Sequence, residues 1–265
     1  MELFFQFWPN SLLIFCRITA FFAVVPVFSS RNVPNIFKIG LSVFVTLIIF
    51  AGFGMNDPVP IDATYVLLII REILVGVLLG FIAYLFFSVV QIAGSFMDIQ
   101  IGFGIANVID PMTGESAPIL GNLKYMLAML LFLSFDGHHY LLRAIMDSYR
   151  WIPISNELFT RIYNGDISEF LLHSFVTMFS LAFQLAAPIV AAMFLTDIGL
   201  GLLTRVAPQF NIFVIGAPLK MILGFILLIL LFPEFVDLFR DLFQVILNSM
   251  QQLLQLITSS QTAPQ

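Results

Sequence analysis

The sequence predicts an all-α membrane protein built from long, kinked helices and helical hairpins. Of its 265 residues, 60% are hydrophobic and only 10% are charged, and the mean hydropathy is +1.02. Soluble domains carry roughly a quarter charged residues and could not cover this much apolar surface. The apolar residues fall in six long blocks. Because lipid offers the backbone no hydrogen-bond partner, helices are the economical structure for blocks of this length.

The six blocks cover residues 10–28, 37–55, 63–97, 122–146, 168–200 and 211–232. The third block would make a helix of about 50 Å at about 1.5 Å per residue, longer than the ~30 Å of hydrocarbon in a bilayer. Most prolines, Pro9 and Pro26 among them, are predicted to mark helix ends. Pro188, Pro218 and Pro233 are predicted to kink blocks five and six.

The last part of the chain has a different pattern. Over residues 234–255 the polar side chains recur at steps of three and four, which predicts an amphipathic helix rather than a membrane span. Its polar face is nearly neutral, whereas binding to an anionic membrane surface would favour Lys and Arg. Packing against a partner is therefore the favoured role of this helix. Residues 259–265 are predicted to form a disordered tail.

The charge pattern excludes several classes of protein. The net charge is −5 and the eleven basic residues are dispersed, so no nucleic-acid binding is expected. Cys16 is the single cysteine and forms no intramolecular disulfide. No basic residue precedes Arg17, so no cleavable signal peptide is expected. The basic residues of the connecting segments divide equally between the two sides, which leaves the orientation open.

Patterns that support catalysis or metal binding are missing from the sequence. It has no nucleophile elbow, no phosphate-binding loop and no complete dinucleotide fingerprint. The adjacent His138 and His139 do not reproduce the i, i+4 spacing of zinc proteases. Asp98 and Asp110 could imitate an intramembrane dyad, but Asp110 precedes Pro111, an ordinary turn signal. We therefore predict no enzyme, no cofactor and no metal site.

Residues 98–121, DIQIGFGIANVIDPMTGESAPILG, are the most informative segment. Four glycines and two prolines spoil regular helix there, yet the other positions stay largely apolar. A solvated loop would be more polar. Irregular backbone at membrane depth is tolerated only where protein buries it or where it lines a cavity. The segment is therefore predicted to form a gate or constriction.

Charged residues also lie within or beside the apolar blocks, where each costs about 2.5–3.5 kcal/mol at mid-bilayer. This predicts helices that pack against other protein. Arg71 and Glu72 either neutralise groups inside a bundle or mark a helix end at the interface. A polar stripe down block three, from Tyr84 to Asp98, fits either the wall of a wet pathway or ordinary hydrogen bonding between helices.

The segment from Asp98 to Ala106, followed by Asp110 and Pro111, resembles the signature of the FliR family of flagellar type III export-gate proteins. Virulence type III secretion has a paralogous family. The resemblance extends over nearly the whole chain, and its order and spacing are specific. It includes Arg17 with Pro26, Pro34 with Lys38, Arg71-Glu72 with Gly76 and Gly80, Asp136-Gly137-His138, Ser148 with Trp151 and Pro153, Ala187-Pro188, Gly201 with Arg205, Pro208, Gln209 and Asn211, and Gly216 with Pro218 and Lys220.

The resemblance implies a subunit that joins FliP and FliQ in a channel of the inner membrane, at the flagellar basal body. Other export-apparatus membrane proteins and exported, unfolded flagellar subunits are its implied further partners. Residues 1–165 would be FliP-like and include the plug loop 98–121, and residues 166–258 would form a FliQ-like hairpin. The implied plug residues are Gln100, Ile101, Gly102, Phe103, Gly104, Ile105 and Ala106, with Asp110 and Pro111 turning the chain back. The expected buried polar or assembly residues are Arg17, Arg71, Glu72, Asp98, Asp197, Arg205 and Lys220.

Two alternatives stay open from the sequence. The virulence paralogue shares the mechanism and differs in cargo. A self-contained secondary transporter would use the broken 98–121 segment as its substrate site. Such transporters usually contain paired repeats with matching broken helices, and no second glycine-interrupted segment occurs at a corresponding place.

Overall fold

The computed structural model describes residues 2–30, 33–54, 58–103, 118–152, 158–207, 209 and 212–258. Across these ranges the regular structure consists of ten helices and includes no strand. They are α1 Glu2–Val24, α2 Pro26–Ser29, α3 Asn35–Phe53, α4 Ala63–Ile101, α5 Ile119–Ser134, α6 Gly137–Trp151, α7 Leu158–Asn164, α8 Asp166–Val206, α9 Ile212–Leu230 and α10 Phe232–Thr258.

Several of these helices have the length and composition of membrane spans. Within the described ranges four qualify: Phe7–Val24, Asn35–Phe53, Thr64–Ile101 and Asp166–Val206. The number rises to six if α5 with α6, and α9 with α10, each make one broken span. At 39 and 41 residues, α4 and α8 are about twice the length that a bilayer requires. The prediction of an all-α membrane protein is confirmed.

Two details of the predicted helices are wrong. Block four is not one helix, because α5 ends at Ser134 and α6 begins at Gly137. Asp136 precedes α6 with a φ of 56°, a left-handed conformation that aspartate tolerates better than most residues. Pro9 does not mark a helix end but lies inside α1. It removes one backbone hydrogen bond, and the apolar sequence on both sides continues the helix.

The kinks predicted at Pro188 and Pro218 stay predictions, whereas α9 and α10 are bent by 59° next to Pro233. α8 and α9 continue without a break through Pro188 and Pro218. Pro233 lies in the first turn of α10, a position where proline costs no intrahelical hydrogen bond. The short break between α9 and α10 is therefore next to this proline.

Local interactions define both ends of α4. Before its first turn, the Asp62 carboxylate accepts hydrogen bonds from the Thr64 backbone N–H at 3.0 Å and from the Thr64 hydroxyl at 2.5 Å. The hydroxyl hydrogen bond holds the pKa of Asp62 below its usual value. After its last turn, Gly102 has a φ of +108° and its N–H donates to the Asp98 carbonyl at 3.1 Å. Glycine is the usual residue for this left-handed helix terminus.

The chain folds into two compact units. Unit 1 comprises Met1–Leu85, Asp136–Ser174 and Gln244–Gln265, and unit 2 comprises Phe86–Phe135 and Phe175–Phe243. The core of unit 2 includes the Phe132 ring, whose centroid lies 5.1 Å from that of Phe87 and 5.4 Å from that of Phe243. The predicted division between residues 165 and 166 separates a FliP-like part from a FliQ-like part and is not a division into compact units. It stays a prediction.

Helix α10 is amphipathic, as the sequence predicts. Its buried positions include Phe235, Phe239, Ile246 and Leu253, whereas polar residues between them are exposed. The chain itself covers this apolar face. A partner is therefore not needed to bury it, which corrects the expectation that α10 packs chiefly against another protein.

Two glycines of α4 allow it to approach α1 closely in unit 1. A Cβ atom at Gly76 would overlap the backbone carbonyl oxygen of Arg17, and one at Gly80 would lie 2.9 Å from Cβ of Val24 and 3.1 Å from the carbonyl oxygen of Phe21. Small residues at a spacing of four are typical of close helix pairs in membranes. Gly76 and Gly80 thus pack against α1.

We expect Gly76→Ala to destabilise the protein by about 1–3 kcal/mol, because the obstructing atom is backbone and cannot rotate away. Gly40→Ala in α3 is the matched control, since no atom lies within 4 Å of its added Cβ. Thermal unfolding in detergent, followed by circular dichroism, compares the two variants. Equal midpoints for Gly76→Ala and Gly40→Ala would contradict the close approach of α1 and α4.

Candidate functional site

A cluster of buried charges links three helices of unit 1. Arg17 of α1 binds Glu72 of α4 through two contacts, Nε to Oε2 at 2.6 Å and Nη2 to Oε1 at 3.0 Å. Arg71 donates to the same Oε1 at 2.8 Å. Arg17 also donates to the Ser148 hydroxyl and the Ile152 carbonyl, both at 3.0 Å, which brings in α6 and the residue that follows it.

The cluster is closed to solvent. Arg17, Arg71 and Glu72 are each at most 1% exposed. The Tyr149 ring covers the Arg17 guanidinium, with Cζ 4.0 Å from the ring centroid. Two arginines share one carboxylate, and a bidentate guanidinium–carboxylate pair is among the stronger hydrogen-bonded pairs in proteins. Of the two roles left open for Arg71 and Glu72, the neutralising one is the role that this geometry shows.

We expect Glu72→Gln to cost about 3–5 kcal/mol, because it leaves two buried guanidinium groups without a counter-charge. Glu169→Gln changes the net charge identically at an exposed position of the same unit and should have little effect. The unfolding midpoint in detergent is the measurement. If both variants unfold at the wild-type temperature, the cluster is not what joins α1, α4 and α6.

The second constellation lies in unit 2, where the two described ends of the 98–121 segment meet. Asp98 in the last turn of α4 is buried, and its carboxylate accepts hydrogen bonds from the start of α5. The Leu120 N–H lies 3.0 Å from Oδ1 and 3.1 Å from Oδ2, and the Gly121 N–H lies 3.2 Å from Oδ2. Asp98 thus satisfies backbone donors that every helix leaves unpaired in its first turn.

Residue types explain why the cap comes from another helix. The N-cap position of α5 is Pro118, which has no side-chain acceptor. A negative charge at this end also interacts favourably with the α5 dipole. Gly94 and Gly121 make the approach possible, because a Cβ at Gly94 would overlap the backbone of Gly121. We call Asp98 with the Leu120 and Gly121 amides the Asp98 clasp.

The first residues of the predicted plug are anchored in unit 2. Gln100 donates from Nε2 to Asp197 Oδ2 at 3.2 Å. Ile101 is fully buried and fits against Gly224, where a Cβ would lie within 2.9 Å of three Ile101 carbons. The Phe103 ring lies 5.9 Å from the Phe225 ring, centroid to centroid. The chain therefore leaves α4 with a polar contact on α8 and apolar contacts on α9.

The remaining predicted residues fall into two groups. Asp197 also pairs with Lys220, whose Nζ lies 2.9 Å from Oδ1, and this pair is partly exposed, whereas Arg205 near the end of α8 is exposed. Gly104, Ile105, Ala106, Asp110 and Pro111 lie outside the described residues. Roles of these residues in the plug or in assembly stay predictions.

One group of possible metal ligands occurs in the described part of the chain. Single ligand atoms of Asp136, His138 and His139 lie within 4.8 Å of one another. Asp136 and His139 are exposed and form an i, i+3 pair at 3.5 Å, a common surface arrangement that needs no ion. The absence of a metal site stays a prediction.

Sequence reasoning missed part of the clasp. It selected Asp98, but it assigned no role to Gly94 or Gly224 and did not pair Asp98 with Leu120. A weak signal was available, since Pro118 cannot cap a helix with its side chain and Gly121 follows three residues later. A helix start whose N-cap residue has no side-chain acceptor requires one from elsewhere, and Asp98 is one of three carboxylates in residues 98–121.

We expect Asp98→Ala to destabilise the start of α5 by about 1–3 kcal/mol, because buried N–H groups lose their acceptor. Asp98→Asn should cost less, since one amide oxygen can still accept. Asp237→Asn, exposed in the same unit, is the control. Hydrogen–deuterium exchange of a peptide over residues 118–127 should speed up in the order control, Asn, Ala. Unchanged exchange in Asp98→Ala would show that the clasp is not formed.

Fold and site together define a class: an all-α membrane protein in which one buried carboxylate, Asp98, joins the end of α4 to the start of α5. The profile of the family described as "Bacterial export proteins, family 1" matches residues 8–246. The chain belongs to this family, a group of export proteins rather than an enzyme class.

Curated relatives agree with that assignment. The flagellar biosynthetic protein FliR of Bacillus subtilis is 42% identical over 250 residues, which cover 94% of this chain and 96% of the relative. FliR of Escherichia coli is 33% identical, and the match covers 94% of this chain and 92% of the relative. The Yop proteins translocation protein T of Yersinia pestis is 30% identical, and the match covers 82% of this chain and 84% of the relative. The resemblance to the FliR family is confirmed.

Proposed function

We propose that this chain is a core subunit of the flagellar type III export gate. With FliP and FliQ it would form the plugged channel through which unfolded flagellar subunits leave the cell. The proposed location is the bacterial inner membrane, within the flagellar basal body, beside the other export-apparatus membrane proteins. Support comes from the similarity to FliR proteins over nearly the full length of both chains.

The observation that carries the proposal is the Asp98 clasp. Helix α4 ends at Ile101 and α5 begins at Ile119, and Asp98 holds these two helix ends together in unit 2. A segment that begins and ends at one anchored place can be displaced without unfolding the helices on either side. That is the requirement for a plug that opens and closes.

The proposed seal depends on residues 100–106. Glycine lets backbones meet across a narrow axis, and apolar tips exclude water as a hydrophobic constriction does. An entering unfolded subunit would displace these residues from their contacts on α8 and α9. Because the sequence contains no nucleotide-binding motif, the energy would come from partner proteins or from the ion gradient.

Other proposed contacts lie on the exposed sides of α8 and α9. Asp197, Lys220 and Arg205 are proposed to face neighbouring subunits, since their charges are only partly enclosed by this chain. Many apolar side chains of these helices are also exposed, among them Phe194, Ile222 and Ile229. A surface of this composition suits either lipid or a second membrane helix.

The virulence-secretion paralogue is the second candidate, because the Yop protein is 30% identical to this chain. The flagellar role is favoured by the higher identity to FliR of Bacillus subtilis. Flagellar rather than needle genes beside this one would support the choice. The family assignment gives the transporter alternative no support.

The test of the gate is a deletion of residues 102–106. Co-expressed with FliP and FliQ, the deleted chain should still assemble, because the clasp and the helices remain, and it should conduct ions when reconstituted in a planar bilayer. Wild-type complex should stay closed. Conductance per assembled complex is the measurement.

A matched control separates a loosened complex from an opened plug. Gly40→Ala changes α3 at a site with no close neighbour and should leave conductance at the wild-type level. A deletion complex that assembles normally and stays as tight as wild type would remove the plug proposal. Failure of the intact chain to join FliP and FliQ would remove the export-gate proposal itself.

A further inference from the structure

A cavity of about 460 Å³ opens in unit 2. Its walls come from α5, α8, α9 and α10 and consist almost entirely of leucine, isoleucine and phenylalanine side chains. The lining includes Leu127, Ile189, Leu228 and Phe235. The volume lies within the range of about 300–1,000 Å³ in which proteins hold small ligands. Two of its lining residues, Leu120 and Phe225, also contact Asp98 and Phe103, but the proposed export gate assigns no occupant to the cavity.

One wall of the cavity carries a positive charge. Lys124 of α5 is partly buried there, and its Nζ lies 5.2 Å from the centroid of the Phe235 ring. Among the described residues, no carboxylate lies within 4.0 Å of this ammonium group, in contrast to Lys220, which pairs with Asp197. A charge in an apolar setting is costly unless it is paired. The cavity thus joins an apolar interior to an ammonium group that pairs with no carboxylate of the described ranges.

We propose that this cavity binds an anionic phospholipid, with one acyl chain among the apolar side chains and the phosphate beside Lys124. The helices that wall the cavity include candidate membrane spans, and a single acyl chain is slender enough for a pocket walled by side chains. The apolar walls give no preference between lipids, because all acyl chains are equally apolar. The preference for an anionic headgroup comes from Lys124.

The expected selectivity is modest and salt-dependent. One lysine near a membrane surface favours an anionic lipid by about fivefold. The Lys124 ammonium and the lipid phosphate would be only partly buried, so salt screens their attraction more than it would in a deep interior. The preference for the anionic lipid should therefore fall as ionic strength rises. The site adjoins the plug contacts, because Leu120 and Phe225 belong to both, and lipid retention is measured separately from ion conductance.

Native mass spectrometry of the complex with FliP and FliQ tests the site. The complex is purified in detergent and mixed with equal amounts of phosphatidylglycerol and phosphatidylethanolamine. Wild type should retain phosphatidylglycerol about fivefold over phosphatidylethanolamine, and Lys124→Met should remove that preference. Arg240→Gln, which removes an exposed cation from α10 in the same unit, should retain it. Leu228→Trp fills the cavity and should reduce retention of both lipids.

Three results would overturn the proposal. The first is equal retention of phosphatidylglycerol and phosphatidylethanolamine by the wild-type complex. This result overturns the proposal even if the Lys124→Met variant does not assemble. Another is an unchanged preference in an assembled Lys124→Met complex. The third is a photo-crosslinker at position 228 that captures FliP or FliQ in delipidated complex, which would make the cavity a protein interface. None of these results bears on conductance of the 102–106 deletion.

Discussion

The hydrogen bonds of the Asp98 carboxylate to the Leu120 and Gly121 amides are the constraint on which the candidate gate depends. These hydrogen bonds need only one acidic side chain, which replaces the local helix cap that Pro118 cannot supply. They are also confined to one point, where Gly94 and Gly121 remove the side chains that would separate α4 from α5. Pro118, which cannot cap α5 with its side chain, acts together with Gly94, Gly121 and the buried Asp98. None of these residues would be unusual alone.

The Arg17 cluster plays a comparable part in unit 1. One carboxylate neutralises two guanidinium groups, and the hydroxyl of Ser148 and a tyrosine ring take up the remaining faces of Arg17. The contacts run between α1, α4 and α6, which lie far apart in sequence. Buried pairs of this kind fix which helices meet, because any other pairing leaves a charge unpaired in an apolar setting.

The sequence predicts the helices well because lipid leaves few alternatives for long apolar blocks. It predicts long-range contacts poorly. Adjacent Arg71 and Glu72 point to charge neutralisation, but nothing in their spacing identifies Arg17 as the main partner. Asp98 is recognisable as a costly buried acid, yet its acceptor role depends on where α5 starts. The break at Asp136 was missed although Asp136-Gly137 is a turn signal, because the apolar composition of residues 122–146 predicts one continuous block.

The Arg17–Glu72 pair has a consequence for biogenesis. The two residues are 55 positions apart, so the ribosome completes α1 well before it makes the carboxylate. At about 5–20 residues per second the delay is roughly 3–11 s. An isolated arginine in a nascent span costs about 2.5–3.5 kcal/mol during that interval. The amino-terminal helix should therefore remain beside the translocon until α4 emerges, so that α1, α3 and α4 enter the bilayer together.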